Sequence, residues 1–373
     1  MSKRSIFEDV GDTPTQTAQT TVAAREPARK GIFIWLMCLA LLVAIMVLVG
    51  GATRLTDSGL SITEWAPVMG ALPPMSDADW EQAFAAYKTT TEFQEQNKWM
   101  TLADFKPIFW WEWGHRQLGR LIGLVWAVGF LGFLFAGRIP QGWTGRLLLV
   151  GVLGGAQGAL GWWMVASGLT GRLDVAPYRL AAHLGLAFLI FGLLLWYALK
   201  IRHDAVEILQ RRRRRESNAM AWAGFLMALV FVQILSGALV AGLDAGRGHV
   251  DWPLMQGTFF PEDALTLTPV WLNIFESPGL AQFNHRIIAY VIAVVAILYV
   301  ARSLRVGHKK VRSWGMRVGI VIAAQVVMGI VTVMNAAPLH LALIHQALAL
   351  VLIGALVHAR FEAAYPGEQR IER

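Results

Sequence analysis

Eight long hydrophobic runs, separated by polar connections, dominate the pattern of the chain. The runs cover residues 32–51, 114–136, 147–166, 180–200, 219–241, 283–301, 317–336 and 340–358. Each is close to the roughly 20 residues that an α-helix needs to cross about 30 Å of hydrocarbon. Because an unpaired backbone amide is costly in lipid, the runs should be helices rather than strands. The pattern therefore predicts an all-α polytopic membrane protein with eight transmembrane helices.

The second half of this pattern repeats the first. Each half holds four runs, an even number, so both halves enter the membrane in the same direction. We therefore predict two tandem parallel four-helix bundles that are related by pseudo-twofold symmetry. The matched positions are Glu64 with Asp251, His115-Arg116 with His285-Arg286, Gln157 with Gln325, Gly161 with Gly329, and His183 with His345.

The repeat also sets the expected domain boundaries. We expect an N-terminal half at 31–202 and a C-terminal half at 219–360, joined by a basic cytoplasmic linker at 203–218. Residues 1–30 are polar and rich in Thr and Ala, which indicates a disordered cytoplasmic tail rather than a signal peptide. Residues 361–373 are expected to form a short cytoplasmic tail.

Charge predicts the orientation. The net charge is +8, but the arginines and lysines are concentrated before the first run, in every second connection and after the last run. The positive-inside rule then predicts that both termini lie in the cytoplasm. The membrane crossed is expected to be the inner (plasma) membrane. The run from Arg211 to Arg215 is interpreted as a topology anchor at the lipid headgroups, not as a nucleic-acid site. The long loops at about 52–113 and 242–282 lie on the periplasmic side.

Cysteine and glycine usage narrow the chemistry further. Cys38 is the single cysteine, which excludes a disulfide or a thiolate metal site within one chain. The glycines of the third run have the spacing of a small-residue packing face and are given no chemical role. These glycines are Gly154, Gly155, Gly158 and Gly161.

Four histidines, His115, His183, His285 and His345, lie near the outer start of the four even-numbered runs. Ionisable side chains inside a bilayer are costly and usually mark function. Inward-facing histidines from two helices of a bundle can approach one iron from opposite sides. We therefore predict two haem irons, each held by a histidine pair. For a lone histidine a packing or hydrogen-bonding role is the alternative, and four histidines in register across a repeat argue against it.

His340 competes with His345 for one of these positions. On one helix the two side chains point about 140° apart, so they cannot both face one iron. His345 keeps the repeat register with His183 and is preferred. The remaining histidines are interpreted as structural, and they are His203, His249, His308 and His358.

Charged residues beside the histidines distinguish the two halves. Arg116 and Arg286 directly follow a ligand histidine, and their guanidinium groups are predicted to pair with haem propionates, with contact to lipid headgroups as the alternative. Glu112 lies three residues before His115, whereas the matching residue in the second half is Gln282, which cannot transfer a proton. We infer that the first half does chemistry and the second holds a redox cofactor. The alternative for Glu112 is an interfacial hydrogen-bonding role.

Over roughly residues 30–360 the chain is similar to the haem A synthase family. The resemblance is carried by the segment Gly50 to Ser61, by Trp65 with Pro67, by the stretch Glu112 to Arg116, and by the remaining histidines. Some bacterial members carry a cysteine pair in the outer loops. This chain has none and resembles the cysteine-free branch of alphaproteobacteria and mitochondria.

This resemblance implies an oxidoreductase that converts a ring methyl of haem O to a formyl group, through hydroxylated intermediates, to give haem A for cytochrome oxidase. It implies that His115 and His183 face haem O, that His285 and His345 ligate the iron of a haem B, and that Glu112 is important for the oxidation. Its partners would be haem O, haem A and membrane lipid, but no nucleic acid. Haem O synthase, an electron donor such as ferredoxin or quinol, cytochrome oxidase assembly factors and a second copy of the chain are further partners that it leaves open.

Two other functions remain open at this point. A di-haem b-type electron carrier that oxidises quinol would place its ligands near both faces of the membrane, whereas all four histidines here favour one face. A haem transporter or chaperone would not need Glu112 in one half alone. Both alternatives differ from the synthase in making no haem product.

Overall fold

The computed structural model describes residues 16–66 and 69–369. Within these ranges regular structure is helical, apart from an isolated bridge between Met255 and Thr258. The helices are α1 (Gln16–Leu55), α2 (Asp77–Tyr87), α3 (Thr91–Glu95), α4 (Leu102–Phe135), α5 (Thr144–Gly168), α6 (Pro177–Ile201), α7 (Ala205–Arg213), α8 (Ser217–Gly242), α9 (Asn273–Glu276), α10 (Pro278–Ser303), α11 (Lys309–Met334) and α12 (Leu339–Ala364).

Eight of these helices are long and apolar enough to cross a membrane, and each covers one predicted run to within two residues. They are α1 from Ala28 onward, α4, α5, α6, α8, α10, α11 and α12. The prediction of an all-α polytopic membrane protein is confirmed. The largest difference is that α4 begins at Leu102 rather than at 114. A capping box between Thr101 and Asp104 starts the helix outside its apolar run.

Four spanning helices close into a ring in each half. In the first half α1 packs on α4 and α6, and α5 packs on the same two helices. In the second half α8 and α11 each pack on α10 and α12. The two rings meet through α6 and α8, with α1 and α12 beside them, around a shared apolar core. This arrangement agrees with tandem four-helix bundles, and the domain boundaries remain a prediction.

The structure describes part of each predicted tail, and their assignment as cytoplasmic tails stays a prediction. α1 already begins at Gln16, so residues 16–30 are helical rather than disordered. Alanine, arginine and lysine are frequent there, and these residues favour helix in continuity with the span that follows. At the other end α12 runs to Ala364. Residues 1–15 and 370–373 lie outside the described residues.

The first outer loop folds into an aromatic cluster on the outer part of α4. Trp80, Phe84 and Tyr87 of α2 are buried against Phe105 and Phe109 of α4. Ring centroids in this cluster lie 5.0 to 5.8 Å apart, the range in which aromatic pairs stabilise one another. The loop therefore forms a packed cover over the outer end of the first half.

Ion pairs join the two halves at the C-terminal ends of α1 and α8. Arg54, at the end of α1, contacts Asp57 at 2.9 Å, Asp174 at 3.3 Å and Asp244 at 2.9 Å, and its side chain is only 10% exposed. Arg54 belongs to the first half and Asp244 to the second. Because the arginine is largely shielded from solvent, these contacts are screened less than ordinary surface pairs.

The basic linker is not only charged but also contacts other parts of the protein. Arg211 in α7 is buried, donates to the ring of His203 and lies 3.9 Å from Glu362 of α12. Arg214 pairs with Glu368 at 2.7 Å. At least these two arginines of the predicted topology anchor therefore hold the linker against the C-terminal end of the chain.

Candidate functional site

The second predicted histidine pair lies together in the structure. His285 on α10 and His345 on α12 have ring centroids 6.5 Å apart, with an angle of 71° between the rings. An imidazole nitrogen binds a first-row metal at about 2 Å and lies about 1 Å from its ring centre, so two rings on one metal have centroids about 6 Å apart. In the first half, His115 lies on α4 and His183 on α6, and each packs on a glycine of a neighbouring helix.

Each of the four imidazoles packs on a glycine of a neighbouring helix. A Cβ atom built on any of these glycines would lie between 3.0 and 3.2 Å from the Cε1 atom of the histidine, which is closer than ordinary contact. The absence of a side chain therefore makes room for each ring. The pairs are Gly50 with His115, Gly161 with His183, Gly237 with His285, and Gly329 with His345.

The sequence analysis identified only two of these four glycines. Gly161 and Gly329 were matched by the repeat, but Gly161 was interpreted as a packing position without chemistry. A Cβ atom on its helical neighbours Gly154, Gly155 or Gly158 would meet no atom within 4 Å. The predicted packing face is therefore wrong within this chain at those three positions, and Gly161 differs from them by facing His183.

Glutamines hold three of the four histidines from the same neighbouring helices. The Nε2 atom of Gln157 donates to the backbone oxygen of His183 at 2.9 Å, and Gln233 binds the backbone oxygen of His285 in the same way at 2.9 Å. Gln325 donates to the backbone oxygen of His345 at 3.1 Å. Gln233 was not identified in the sequence analysis.

Glu112 lies beside the first histidine pair in a closed set of hydrogen bonds. It is 3% exposed and accepts from the Ser61 hydroxyl and from the Ile62 backbone N–H, both at 2.7 Å. Arg116, one turn later on α4, donates to Glu112 from Nε at 3.1 Å and from Nη2 at 2.6 Å. Two donors of one guanidinium to one carboxylate fix its orientation. The outer-loop segment 61–64, together with Arg116, thus holds Glu112 in one orientation.

The guanidinium groups of Arg116 and Arg286 donate hydrogen bonds to the outer loops. Arg116 donates to the carbonyl oxygens of Ile62 at 2.7 Å and Glu64 at 2.8 Å, besides Glu112. Arg286 donates to the carbonyl oxygens of His249 at 3.0 Å and Leu254 at 2.9 Å. Pairing of either arginine with a haem propionate stays a prediction.

Gln282 takes the place of Glu112 in the second half. Its Nε2 atom donates to the backbone oxygen of His249 at 2.9 Å, and Arg286 donates to the same oxygen. In the repeat, the position of His249 corresponds to that of Ile62. Both outer loops therefore cover their histidine pair in the same way. Among the residues that the structure describes, the carboxylate is the element that distinguishes the first half.

The other histidines have structural contacts. His340 is exposed, whereas His345 packs on its glycine, which supports the choice between them. His249 pairs with Asp263 at 3.1 Å, and His308 contacts the Gly367 oxygen at 3.0 Å. His203 contacts Glu207, and His358 stacks on Trp314.

A second buried acid, Glu92, was not identified from the sequence because its loop has no counterpart in the repeat. It lies in α3, is 3% exposed, and its Oε2 atom has no hydrogen-bond partner among the described residues. Burial, together with the negative charges of Asp174, Asp57 and Glu112, raises the pKa of Glu92 to about 8, although Arg54 acts in the opposite direction.

We expect Glu92→Gln to protect the protein at alkaline pH. The pKa of Glu92 rises from 4.5 to about 8 on folding, so the fold favours the protonated acid, and the resulting stability is present at low pH and lost as pH rises toward 8. The melting temperature of the wild type in detergent should fall between pH 6 and pH 9 by a few degrees more than that of the variant, about 2–4 °C per kcal/mol. Glu95→Gln, at an exposed position of the same helix, is the control. Equal falls in wild type and Glu92→Gln would contradict the assignment.

The donor set fits haem iron. No group of three or more His, Cys, Asp or Glu side chains within the described ranges is placed to hold a metal ion, whereas haem iron needs only two axial ligands from the protein. Several buried polar atoms at and beside the imidazoles have no hydrogen-bond partner among the described residues. They are Oε1 of Gln157, Gln233 and Gln325 and Nδ1 of His285 and His345. A metal-bound histidine almost always donates its second ring nitrogen to an acceptor.

Comparisons with known proteins identify the family of the chain. Residues 33–357 match the family model described as cytochrome oxidase assembly protein. The chain is 55% identical to the heme A synthase of Dinoroseobacter shibae, over 98% of this chain and 97% of that protein. It is 54% identical to the heme A synthase of Ruegeria pomeroyi over 98% of each chain. It is 48% identical to that of Paracoccus denitrificans, over 100% of this chain and 99% of the relative.

Proposed function

Since this chain belongs to the cytochrome oxidase assembly protein family, we propose that it is a membrane oxidoreductase that converts haem O to haem A. The reaction oxidises a ring methyl first to a hydroxymethyl group and then to a geminal diol, which loses water to give the formyl group. Eight spanning helices place this chemistry in a membrane, where the apolar substrate is soluble.

The observation that carries the proposal is the asymmetry between two otherwise equivalent histidine sites. Both halves hold an imidazole pair on glycines, and in both an arginine is bound by the outer loop. Only the first half adds a buried carboxylate, Glu112, within the described residues. We therefore assign haem O to His115 and His183, and haem B to His285 and His345. Haem B, when bound, supplies one-electron transfer.

Glu112 is assigned to proton handling at the substrate. Oxidation of a methyl group to a formyl group moves protons as well as electrons, and a carboxylate beside the substrate can take up or release protons. Ser61, Ile62 and Arg116 hold Glu112 in one orientation, and the aromatic cover of the first outer loop keeps it out of bulk water. Arg116 acts as a positioning residue because it contacts the acid and the loop together.

Orientation and partners follow from the same proposal. The charge distribution supports cytoplasmic termini and histidine sites on the periplasmic side of the inner membrane. A haem O synthase would supply the substrate, and cytochrome oxidase assembly factors would take the product. An electron donor such as ferredoxin or quinol would deliver electrons through haem B.

Analysis of bound pigment tests the function. The protein is expressed in a host that makes haem O but no haem A, and the haems extracted from the purified protein are separated by chromatography. We expect haem A or its hydroxylated precursor together with haem B. Haem B alone would indicate the di-haem electron carrier, and unchanged haem O would indicate a transporter. Either result would contradict the proposal.

A further inference from the structure

Arg54 lies between two equivalent aspartates of the repeat. Asp57 follows α1, and Asp244 follows α8 at the corresponding position, counted from the matched residues Glu64 and Asp251. Both aspartates have a left-handed backbone conformation, with φ of 48° and 49°, which aspartate tolerates better than most residues. Arg54 donates to each of them at 2.9 Å, so its guanidinium group joins equivalent corners of the two halves.

The residues that form this bridge, other than Asp244, come from the first half. The position of α8 that corresponds to Arg54 holds Ala241. Arg54 also contacts Asp174, in the connection between α5 and α6, at 3.3 Å. The corresponding connection between α11 and α12, residues 335–338, has no charged side chain in its sequence. The arginine that reaches across therefore belongs to the half that contains Glu112.

The chain on either side of Arg54 leads to the first histidine pair and to the acid. Gly50, one helical turn before Arg54 on α1, packs under the ring of His115. On the loop that follows α1, the Ser61 hydroxyl donates to Glu112 at 2.7 Å. One continuous segment thus carries the contact with a histidine, the bridge to the second half and a hydrogen bond to the acid.

The burial of this ion pair suits it to hold the segment in place. The side chain of Arg54 is 10% exposed and that of Asp244 is 35% exposed, so water and salt screen their attraction less than that of a surface pair. Hydrogen bonds from one guanidinium group to several carboxylates also fix its orientation. Without Asp244, the start of the loop that binds Glu112 would lose its anchor on the second half.

We propose that Arg54 is a positioning residue for the oxidation, and that Asp244 holds it so that the second half fixes the position of Glu112 in the first. Arg54 acts through the loop that ends at Ser61 and not by touching the substrate. This inference rests on the proposed function. It gives the haem B half a role besides electron transfer, because the acid is aligned only while the two halves are docked on each other.

Asp244→Asn tests the bridge without changing the backbone, because asparagine also tolerates the left-handed conformation. We expect haem A formation per bound haem O to fall about 10-fold, since a small misplacement of a catalytic group lowers the rate, while the KM for haem O and the haem B content stay unchanged. Because Glu112 accepts from the Ile62 N–H, backbone amides of the segment 57–62 should exchange with deuterium about 10-fold faster.

Glu276→Gln is the matched control for this variant. It removes the ion pair between Arg172 and Glu276, which also joins the two halves at 2.9 Å but lies outside the segment that leads to Glu112. Haem A formation and the exchange of the segment 57–62 should both stay at the wild-type values. Equal effects of Asp244→Asn and Glu276→Gln, or an unchanged rate in Asp244→Asn, would overturn the inference.

A double-mutant cycle tests whether Arg54 and Asp244 act as one unit. Arg54→Gln combined with Asp244→Asn should form haem A no more slowly than Arg54→Gln alone, whereas additive losses would contradict the bridge. Arg54→Lys keeps the charge without the planar group and should recover part of the rate. A wild type that forms no haem A would refute the proposed function, and unchanged deuterium exchange in Asp244→Asn would refute the bridge, so the two failures are distinguishable.

Discussion

Glu112→Gln is expected to lower haem A formation at least about 100-fold, the usual range for removal of a general base, while both haems stay bound. Glutamine has the same shape and can still accept from Ser61 and Ile62, so the site should keep its geometry. It cannot take up a proton, and oxidation should therefore stop at haem O. The measurement is the ratio of haem A to haem B in pigment extracted from the purified variant.

Two further variants keep this prediction testable if Glu112→Gln destabilises the fold. Removing one partner of a buried pair leaves Arg116 uncompensated, which can cost about 3–5 kcal/mol. The double variant Glu112→Gln with Arg116→Gln removes that charge and should recover stability without recovering haem A. Adding Gln282→Glu to Glu112→Gln puts a carboxylate in the second half, where it should not restore the product. Near-normal haem A in Glu112→Gln with intact haem content would remove Glu112 from the chemistry.

Gly161→Val is expected to abolish haem binding in the first half. A Cβ atom at this position would lie 3.0 Å from Cε1 of His183, and valine adds two methyl groups beyond it. Because α5 and α6 are packed together, the imidazole must move out of its position and can no longer reach the iron. The measurement is haem O bound per protein after reconstitution, together with the low-spin absorbance of the bound haem.

Gly158→Val is the matched control for this effect. It lies on the same helix, and a Cβ atom there meets no atom within 4 Å. Both variants replace glycine with valine inside a helix, so the change in helix propensity is the same. Haem B in the second half should be unaffected by either. Equal loss of haem O binding in the two variants would show that Gly161 does not act through His183.

Several site residues could be recognised without the structure because their signal is local or repeated. His115, His183, His285 and His345 were found from their places in the runs and from the repeat. Their pairing depended on helix direction, which follows from the number of spans, and the 6.5 Å between the rings of His285 and His345 agrees with it. Glu112 was found because the repeat breaks there.

Other residues could not be recognised because their role depends on which helix faces which. Gly50, Gly237 and Gln233 look like ordinary residues of apolar helices until α1 and α8 are placed against α4 and α10. Glu92 and Ser61 lie in a loop of irregular path, where sequence spacing does not predict contact. Ser61 reaches Glu112 across 51 positions of the chain.

The amino-acid sequence alone was sufficient to predict the eight spans and to identify the residue types able to bind iron. These properties follow from the energy of single segments in lipid, where every backbone amide must bond within its own helix. Tertiary structure alone decided that Arg116 holds Glu112 in place and that a glycine lies under each imidazole. These contacts depend on the rotation and separation of packed helices, which arise from all neighbours together and not from any one segment.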